Sequence, residues 1–159
     1  MHTVRLAGSI LALSLTVAAF SSNQDERAIR AVYARLQHAM LTKNVSAIEQ
    51  LEGPGFTDTE HGMTMDAKKA NAEMKQQFSM ARFTQCHITV TNISVSGKNA
   101  VAQSRYTMDA VAKVQGKSHR LHMTGTTHDQ LLKTKRGWLF TYTKDTTEHE
   151  TEDGKPIPM

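Results

Sequence analysis

The stretch that decides the fold runs from Arg120 to Tyr142 and reads RLHMTGTTHDQLLKTKRGWLFTY. Its two arms are rich in threonine, leucine and aromatic residues, and they flank a short KRG turn at residues 135–137. Strand-forming residues on both sides of a short turn with glycine are typical of an antiparallel hairpin. The second arm begins with the only tryptophan, Trp138. We therefore predict a long hairpin at the centre of a β-sheet.

The hairpin also predicts which side chains share a face of the sheet. With the turn closed at Thr134, Leu131 faces Phe140 and Asp129 faces Tyr142, because opposed residues of an antiparallel pair lie on one face. This register places a carboxylate among large apolar side chains, on the surface that the rest of the chain covers. A carboxyl group in such surroundings has a raised pKa.

The composition is that of one globular domain. Of the 159 residues, 39% are hydrophobic and 21% are charged, so the chain has enough length for a core and is not disordered as a whole. Lys and Arg exceed Asp and Glu, 19 against 15. The basic residues are scattered and do not interleave with aromatic ones, so no nucleic-acid partner is expected.

The N-terminus predicts export. A short basic start, Met1–Arg5, precedes an apolar run, Leu6–Phe20, that ends in small residues. This layout is typical of a cleavable signal peptide over residues 1–21, with cleavage after Ala19 or near Ser21. The expected location is secreted or periplasmic, with no stable membrane span after cleavage. An uncleaved anchor is the alternative, because the run approaches the ~17–25 residues of a spanning helix.

Three helices are predicted from apolar residues at three- and four-residue steps and from their capping residues. Asn23, with Glu26 three residues later, caps the first, whose apolar positions run from Ile29 to Met40. Asn44 caps a short second helix over residues 45–51, and Asp66 caps a third that ends near Met80.

Strands are predicted from period-two alternation. One of them, Phe56–Glu60, lies between the second and third helices and directs Asp58 and Glu60 to one face. From Phe83 onward the alternation persists, with a phase slip after Val90 that predicts a bulge. We therefore expect a domain over residues 22–146, followed by an acidic, flexible tail over residues 147–159.

Short motifs spread along the chain indicate a known fold. They are Ala31–Ala34, Lys43–Leu51, Phe56–Gly62, Gly97–Ala100, and Thr127–Asp129 followed by Gly137–Leu139. Together they resemble the cystatin-like cone superfamily, which includes nuclear transport factor two-like, SnoaL-like and ketosteroid isomerase-like proteins. The resemblance implies an α+β fold in which three N-terminal helices pack on a strongly curved antiparallel sheet. It also implies a pocket between sheet and helices and a homodimer formed through the sheet. We expect no cofactor.

The resemblance to the isomerases carries over only in part. It implies a general-base carboxylate after the second helix, a tyrosine on the first helix and a protonated acid on a sheet strand. The base position falls near Glu60, with Asp58 two residues earlier, and Asp129 is the candidate for the sheet acid. The tyrosine position falls on Leu36, which cannot donate a proton, and Tyr33 lies one turn away. A working steroid isomerase is therefore not expected.

The candidate site follows from these placements. Its catalytic residues are Asp58, Glu60 and Asp129, and its ligand-binding residues are Tyr33, Tyr106, Trp138, Phe140 and Tyr142. A desolvated carboxylate can act as acid or base on a carbonyl-bearing ligand. The alternative is a purely structural Asp129, paired with Tyr142 or a backbone amide as buried polar groups usually are.

The histidines do not predict a metal site. His122 and His128 share a strand face but lie roughly 20 Å apart at ~3.3 Å per residue. Zinc ligands must each lie ~2 Å from one ion, so these two cannot bind it together. His119 lies on the other face, and we expect these side chains to be at the surface.

Three functions fit the sequence. The first is a binding protein for a small, partly apolar or carbonyl-bearing ligand. The second is an enzyme of the isomerase, dehydratase or cyclase kind that uses Asp58 or Glu60 as base. The third is a non-catalytic protein-interaction domain, which a filled pocket and a fully paired Asp129 would favour.

Overall fold

The computed structural model describes residues 14–114 and 116–157, and it places the side chains of residues 23–113 and 116–157. The elements of this part are α1 (Ser14–Leu41), α2 (Val45–Glu49), β1 (Glu52–Glu60), β2 (Met63–Asp66), α3 (Ala67–Met80), β3 (Ala81–Ser96), β4 (Asn99–Val114), β5 (Lys117–Thr134), β6 (Gly137–Glu152) and β7 (Lys155–Pro156). Residues 1–13 of the predicted signal peptide lie outside the described residues. Within the described ranges, no helix is both long enough and apolar enough to cross a membrane.

The strands form one curved, unclosed sheet of seven strands in the order β2-β1-β6-β5-β4-β3, and β7 pairs with β6. All pairs are antiparallel except β1 with β6, which is parallel. The sheet is therefore mixed, where the sequence predicted a purely antiparallel one. The crossover from β1 through α3 and the long meander brings the first strand beside the last long one.

The second and third helices begin where the sequence predicts, whereas α1 begins at Ser14, so the predicted cap Asn23 lies inside it. The Asn44 side chain accepts a hydrogen bond from the backbone N–H of Ala47, and Asp66 accepts one from Lys69. Such caps satisfy backbone donors that have no partner within the helix. Only α1 and α2 precede the first strand, however, so the expected group of three N-terminal helices is matched only roughly.

The long hairpin has the predicted turn, with Thr134 opposite Gly137 and Leu131 opposite Phe140. The predicted bulge in β3 is also present, because the register with β4 shifts between Val90 and Asn92.

Two bulges in β6, at Thr141 and Thr146, were not predicted. Each bulge reverses the alternation of the strand. The residues of β6 that face the helices are therefore even-numbered before the first bulge, odd-numbered between the bulges and even-numbered after the second. Asp129 lies opposite Thr143 as a result, so its predicted pairing with Tyr142 is wrong by one residue.

The C-terminal segment differs from its prediction as well. Strand β6 continues to Glu152, and residues 155 and 156 pair with it as β7. The region from residue 147 was expected to be flexible because it is acidic. In the structure, residues 147–152 extend the sheet and residue 153 accepts a hydrogen bond from the Arg120 backbone.

Two apolar clusters hold the helices on the sheet. The first joins α1 to the hairpin and contains Ile29, Leu51, Leu131, Trp138 and Phe140 among its buried members. The second joins all three helices to β3 and β4 and contains Met40, Ile48, Phe78, Phe83 and Cys86. We call the first cluster, together with Asp25 at its edge, the closed end. Burial of these side chains supplies the main stabilising free energy of the fold.

Candidate functional site

A cavity of about 550 Å³ lies between the sheet and the helices. Its size is that of a site for a small organic molecule. The wall is largely apolar and contains aromatic and methionine side chains: Tyr33, Phe56, Phe83, Tyr106, Phe140, Met40, Met65, Met74, Met80, Met108 and Met123. Met80 is 55% exposed, so the cavity reaches the surface beside it.

Acidic residues are the other component of the wall. Nine of them line the cavity: Glu52, Asp58, Glu60, Glu73, Asp129, Asp145, Glu148, Glu150 and Glu152. They come mainly from β1 and β6, which are neighbouring strands of the sheet.

Asp129 is the most deeply buried of these acids, at 1% exposure. Its Oδ2 accepts hydrogen bonds from the hydroxyls of Tyr33 and Thr127, each at 2.6 Å. Its Oδ1 is buried and has no hydrogen-bond partner. The partners expected for a structural Asp129, Tyr142 or a backbone amide, are therefore not the ones observed, and half of the carboxyl group is unsatisfied.

Burial raises the pKa of Asp129, although the hydroxyls of Thr127, Tyr33 and Thr143 each favour its charged form. Thr143 lies opposite Asp129 on β6, but its hydroxyl does not reach hydrogen-bond geometry with Oδ1. Burial and the neighbouring Asp129 charge also raise the pKa of Tyr33, so its phenol remains a donor. The pKa of Asp129 is thus raised as the sequence predicts, and the cause is the predicted one, desolvation.

Asp58 is connected to Asp129 through the sheet. Thr143 pairs with Asp58 on one side and with Asp129 on the other, so the three residues form one row across β1, β6 and β5. Burial, followed by repulsion from Glu60, raises the pKa of Asp58 to about 6. Burial also raises the pKa of Glu60, and repulsion from Glu148 adds to it.

Asp145 lies two residues after Thr143 on β6 and pairs with Thr127 of β5. Burial raises its pKa to about 8, and repulsion from Glu148, Glu60 and Asp58 contributes. The pKa values of Asp58 and Asp145 therefore lie on either side of neutral pH, the range in which a carboxyl group can act as base or acid.

Tyr106 is positioned by a glycine. Gly125 lies directly opposite Tyr106 on β5, and a Cβ atom at Gly125 would overlap both the Tyr106 ring and the Thr147 carbonyl oxygen. Only glycine leaves room for the phenol to lie flat over the strand. Burial raises the pKa of the Tyr106 phenol, so this side chain is a neutral donor in the cavity wall.

Two groups of side chains have the mutual spacing of metal ligands. One is Glu60, His61 and Glu148, and the other is His119, Glu152 and Asp153. Each includes an exposed residue, and carboxylates with a histidine nearby also form ordinary ion pairs. The deep acids Asp58, Asp129 and Asp145 belong to neither group.

The structure brings together six of the eight predicted site residues. Asp58, Glu60, Asp129, Tyr33, Tyr106 and Phe140 all line the cavity, whereas Trp138 and Tyr142 do not. Trp138 is buried in the closed end, where its Nε1 donates to Asp25 at 3.2 Å. Tyr142 faces the other side of the sheet because of the bulge at Thr141.

The acids of β6 were missed by the sequence analysis. Asp145 was not singled out, and Glu148, Glu150 and Glu152 were assigned to a flexible tail. Their alternation with His149 and Thr151 is a period-two strand signal that was present in the sequence.

The cavity and the curved sheet define an α+β cone fold with an internal, acid-lined pocket. A comparison of the sequence with protein-family models finds no match, and neither does a comparison with curated proteins. Solved structures do match.

Several of these structures are described as members of the family that the sequence motifs resemble. A nuclear transport factor two-like superfamily protein from Salmonella enterica serovar Typhimurium has a TM-score of 0.65 and 17% identity, over 79% of this chain and 92% of that one. A protein of the same type with a cystatin-like fold, from Novosphingobium aromaticivorans, has a TM-score of 0.61 and 16% identity, over 86% and 90%. A ketosteroid isomerase-like protein from Erwinia carotovora has a TM-score of 0.62 and 16% identity, over 79% and 98%. The chain therefore has the cystatin-like fold of nuclear transport factor two-like proteins, as its motifs predict. Likeness at this identity establishes the fold, and function must come from the site.

Proposed function

We propose that the protein is an exported small-molecule-binding protein whose ligand occupies the cavity between sheet and helices. The observation that carries this proposal is Asp129, a carboxyl group at 1% exposure whose Oδ1 has no partner on the cavity wall. A buried polar atom without a hydrogen bond is costly and rare. A ligand with a donor group would satisfy it.

The shape of the site supports binding over a purely structural role. Apolar walls with a few convergent polar groups are typical of small-molecule sites. A protein-interaction domain was expected to have a filled pocket and a fully paired Asp129. The described residues instead leave about 550 Å³ of space beside an unpaired oxygen.

Binding can be tested with a pair of adjacent residues on α3. Gln76 and Gln77 are both exposed, but only Gln77 lines the cavity. We expect Gln77→Trp to reduce the affinity for the neutral fluorescent probe N-phenylnaphthylamine, and Gln76→Trp to leave it unchanged. Native mass spectrometry of the purified protein should also show a co-purifying small molecule. Absence of probe binding and of any bound mass would refute the proposal.

A second function, an enzyme acting beside a carbonyl group, is favoured by one further observation. Asp58 has a pKa of about 6 and shares a row with Asp129 through Thr143. This arrangement offers a base and a separate hydrogen-bonding acid in one cavity. Exchange of solvent deuterium into cyclohexenone, followed by NMR, would test it. The exchange should depend on Asp58 and disappear in Asp58→Asn.

Export and dimerisation are part of the proposal. Export is supported by the basic start and apolar run of residues 1–20, and N-terminal sequencing of the exported protein would locate the cleavage. Pairing through the sheet is supported by the resemblance alone. Light scattering of the purified protein should give twice the mass of the mature chain.

A further inference from the structure

The cavity collects most of the acidic side chains of an otherwise basic protein. The chain has a formal net charge of +4, yet nine of its 15 Asp and Glu residues line the cavity. Among the described lining residues there is no Lys or Arg. The histidines in the wall, His61 and His119, lie beside carboxylates of the rim. The interior therefore concentrates acidic side chains without a Lys or Arg among them.

Acids outside the cavity have positive or donor partners, and two acids of the cavity wall are also paired: Glu73 with Lys69, and Glu52 with the side chain of Asn71. Asp25 is paired with Lys133, and Glu49 with Lys75. In the cavity, Asp129 has an unpaired buried oxygen, and the nearest charges to Asp58 and Asp145 that affect them are other carboxylates. Like-charged groups close together without a counter-charge destabilise a fold, and a positively charged ligand would relieve this cost.

We propose that the ligand is an amphiphilic organic cation, with a protonated amine or quaternary ammonium head beside Asp58, Asp129 and Asp145 and an apolar body against the methionine and aromatic wall. This inference rests on the proposed small-molecule-binding function. The aromatic rings of the wall favour the same class, because a cation is attracted to the face of Tyr and Phe rings. Methionine side chains adapt to apolar bodies of varied shape.

An organic cation fits better than a metal ion. The deep acids belong to neither group with metal-ligand spacing, and both groups lie toward the surface. A metal ion would also leave most of the apolar space unused. The size of the cavity suits a molecule with a hydrocarbon body.

The test compares three probes that share one hydrocarbon body and differ in charge: phenylbutylamine, phenylbutanol and phenylbutyrate. Each would compete with neutral N-phenylnaphthylamine for the purified protein at neutral pH. We expect the amine to bind at least about tenfold more tightly than the alcohol, equivalent to ~1.4 kcal/mol, and the carboxylate to bind most weakly. Added salt should reduce the difference only in part, because buried charges are weakly screened.

Variants can test whether the cavity acids cause the preference for the amine over the alcohol. Asp145→Asn should reduce the preference for the amine over the alcohol several-fold. Neutralising a repelled carboxylate should not impair folding, and a thermal melt would verify this. Asp109→Asn is the matched control, because Asp109 lies on the outer face of β4 and does not line the cavity. It should leave the preference unchanged.

The outcomes separate the two proposals. If N-phenylnaphthylamine binds and the alcohol competes as well as the amine, the cation inference is wrong and the binding function stands. If calcium or zinc chloride alone raises the melting temperature more than the amine does, the acids hold a metal and the inference is again wrong. If no probe binds, the binding function fails as well.

Discussion

Two buried aspartates in this molecule have opposite surroundings. Asp25, at the closed end, is 7% exposed and accepts hydrogen bonds from Lys133 Nζ at 2.6 Å and Trp138 Nε1 at 3.2 Å. Asp129, in the cavity wall, is 1% exposed and accepts only hydroxyl donors. The hydrogen bond from Lys133 holds the pKa of Asp25 below its usual value, whereas burial raises that of Asp129.

The difference supports a structural role for the closed end and the proposed binding role for the cavity. The closed end satisfies its buried charge from within the chain, so its contacts are complete and structural. The cavity buries carboxylates, and the described residues that line it include no Lys or Arg. An unpaired buried oxygen beside a cavity is typical of a binding site and supports the proposed function.

The largest expected effect is on packing at the closed end. Leu131 is 1% exposed and belongs to the closed end, so Leu131→Ala should lower the free energy of unfolding by about 2–5 kcal/mol. Leu121→Ala removes the same atoms from the cavity wall, where space already exists, and should cost ~1 kcal/mol. Urea denaturation measures both. Equal losses would mean that the two regions are packed alike.

Neutralising Asp129 should raise the free energy of unfolding, whereas Leu131→Ala lowers it. A carboxyl group whose pKa is raised by folding binds a proton more tightly in the native state, so wild-type stability falls as pH rises above the unfolded value of ~4. Asp129→Asn keeps an acceptor for Tyr33 and Thr127 and cannot ionise. We expect it to be more stable than wild type by about 1–3 kcal/mol at alkaline pH, with no gain at acidic pH. A loss of stability at alkaline pH would show that the charged form is well paired.

Neutralising Asp25 should destabilise the protein. A carboxyl group with a lowered pKa contributes stability above its unfolded pKa, and this contribution is lost as pH falls through the folded value. Asp25→Asn should therefore cost about 1–2 kcal/mol at neutral pH, a modest value because Lys133 is half exposed. The variant and wild type should converge in acid. If the variant were less stable than wild type by the same amount at neutral and at acidic pH, the charge of Asp25 would be excluded as the cause.

Local patterns were enough to predict much of the fold. Alternation and capping residues gave the hairpin turn, the starts of α2 and α3 and the bulge after Val90. They also placed Asp58 and Asp129 on the inner face, because strand periodicity depends on neighbouring residues alone.

The bulges in β6 account for most of what was missed. Thr141 and Thr146 have no glycine or proline beside them that would mark a bulge. The partner strands set these register shifts, and the shifts turn Tyr142 outward and Asp145 inward. The need for Gly125 is likewise visible only once Tyr106 lies across from it. Long-range pairing of this kind leaves no local signature in a single sequence.

The most direct test of the central claim, that the cavity holds carboxylates without a counter-charge, is a pH titration of the aspartate side-chain carbons by NMR. We expect Asp145 to titrate at about 8 and Asp58 at about 6, while Asp25 titrates below the usual range. If Asp58 and Asp145 titrated instead near ~4, as solvated aspartates do, the cavity would be a hydrated acidic surface with no missing partner.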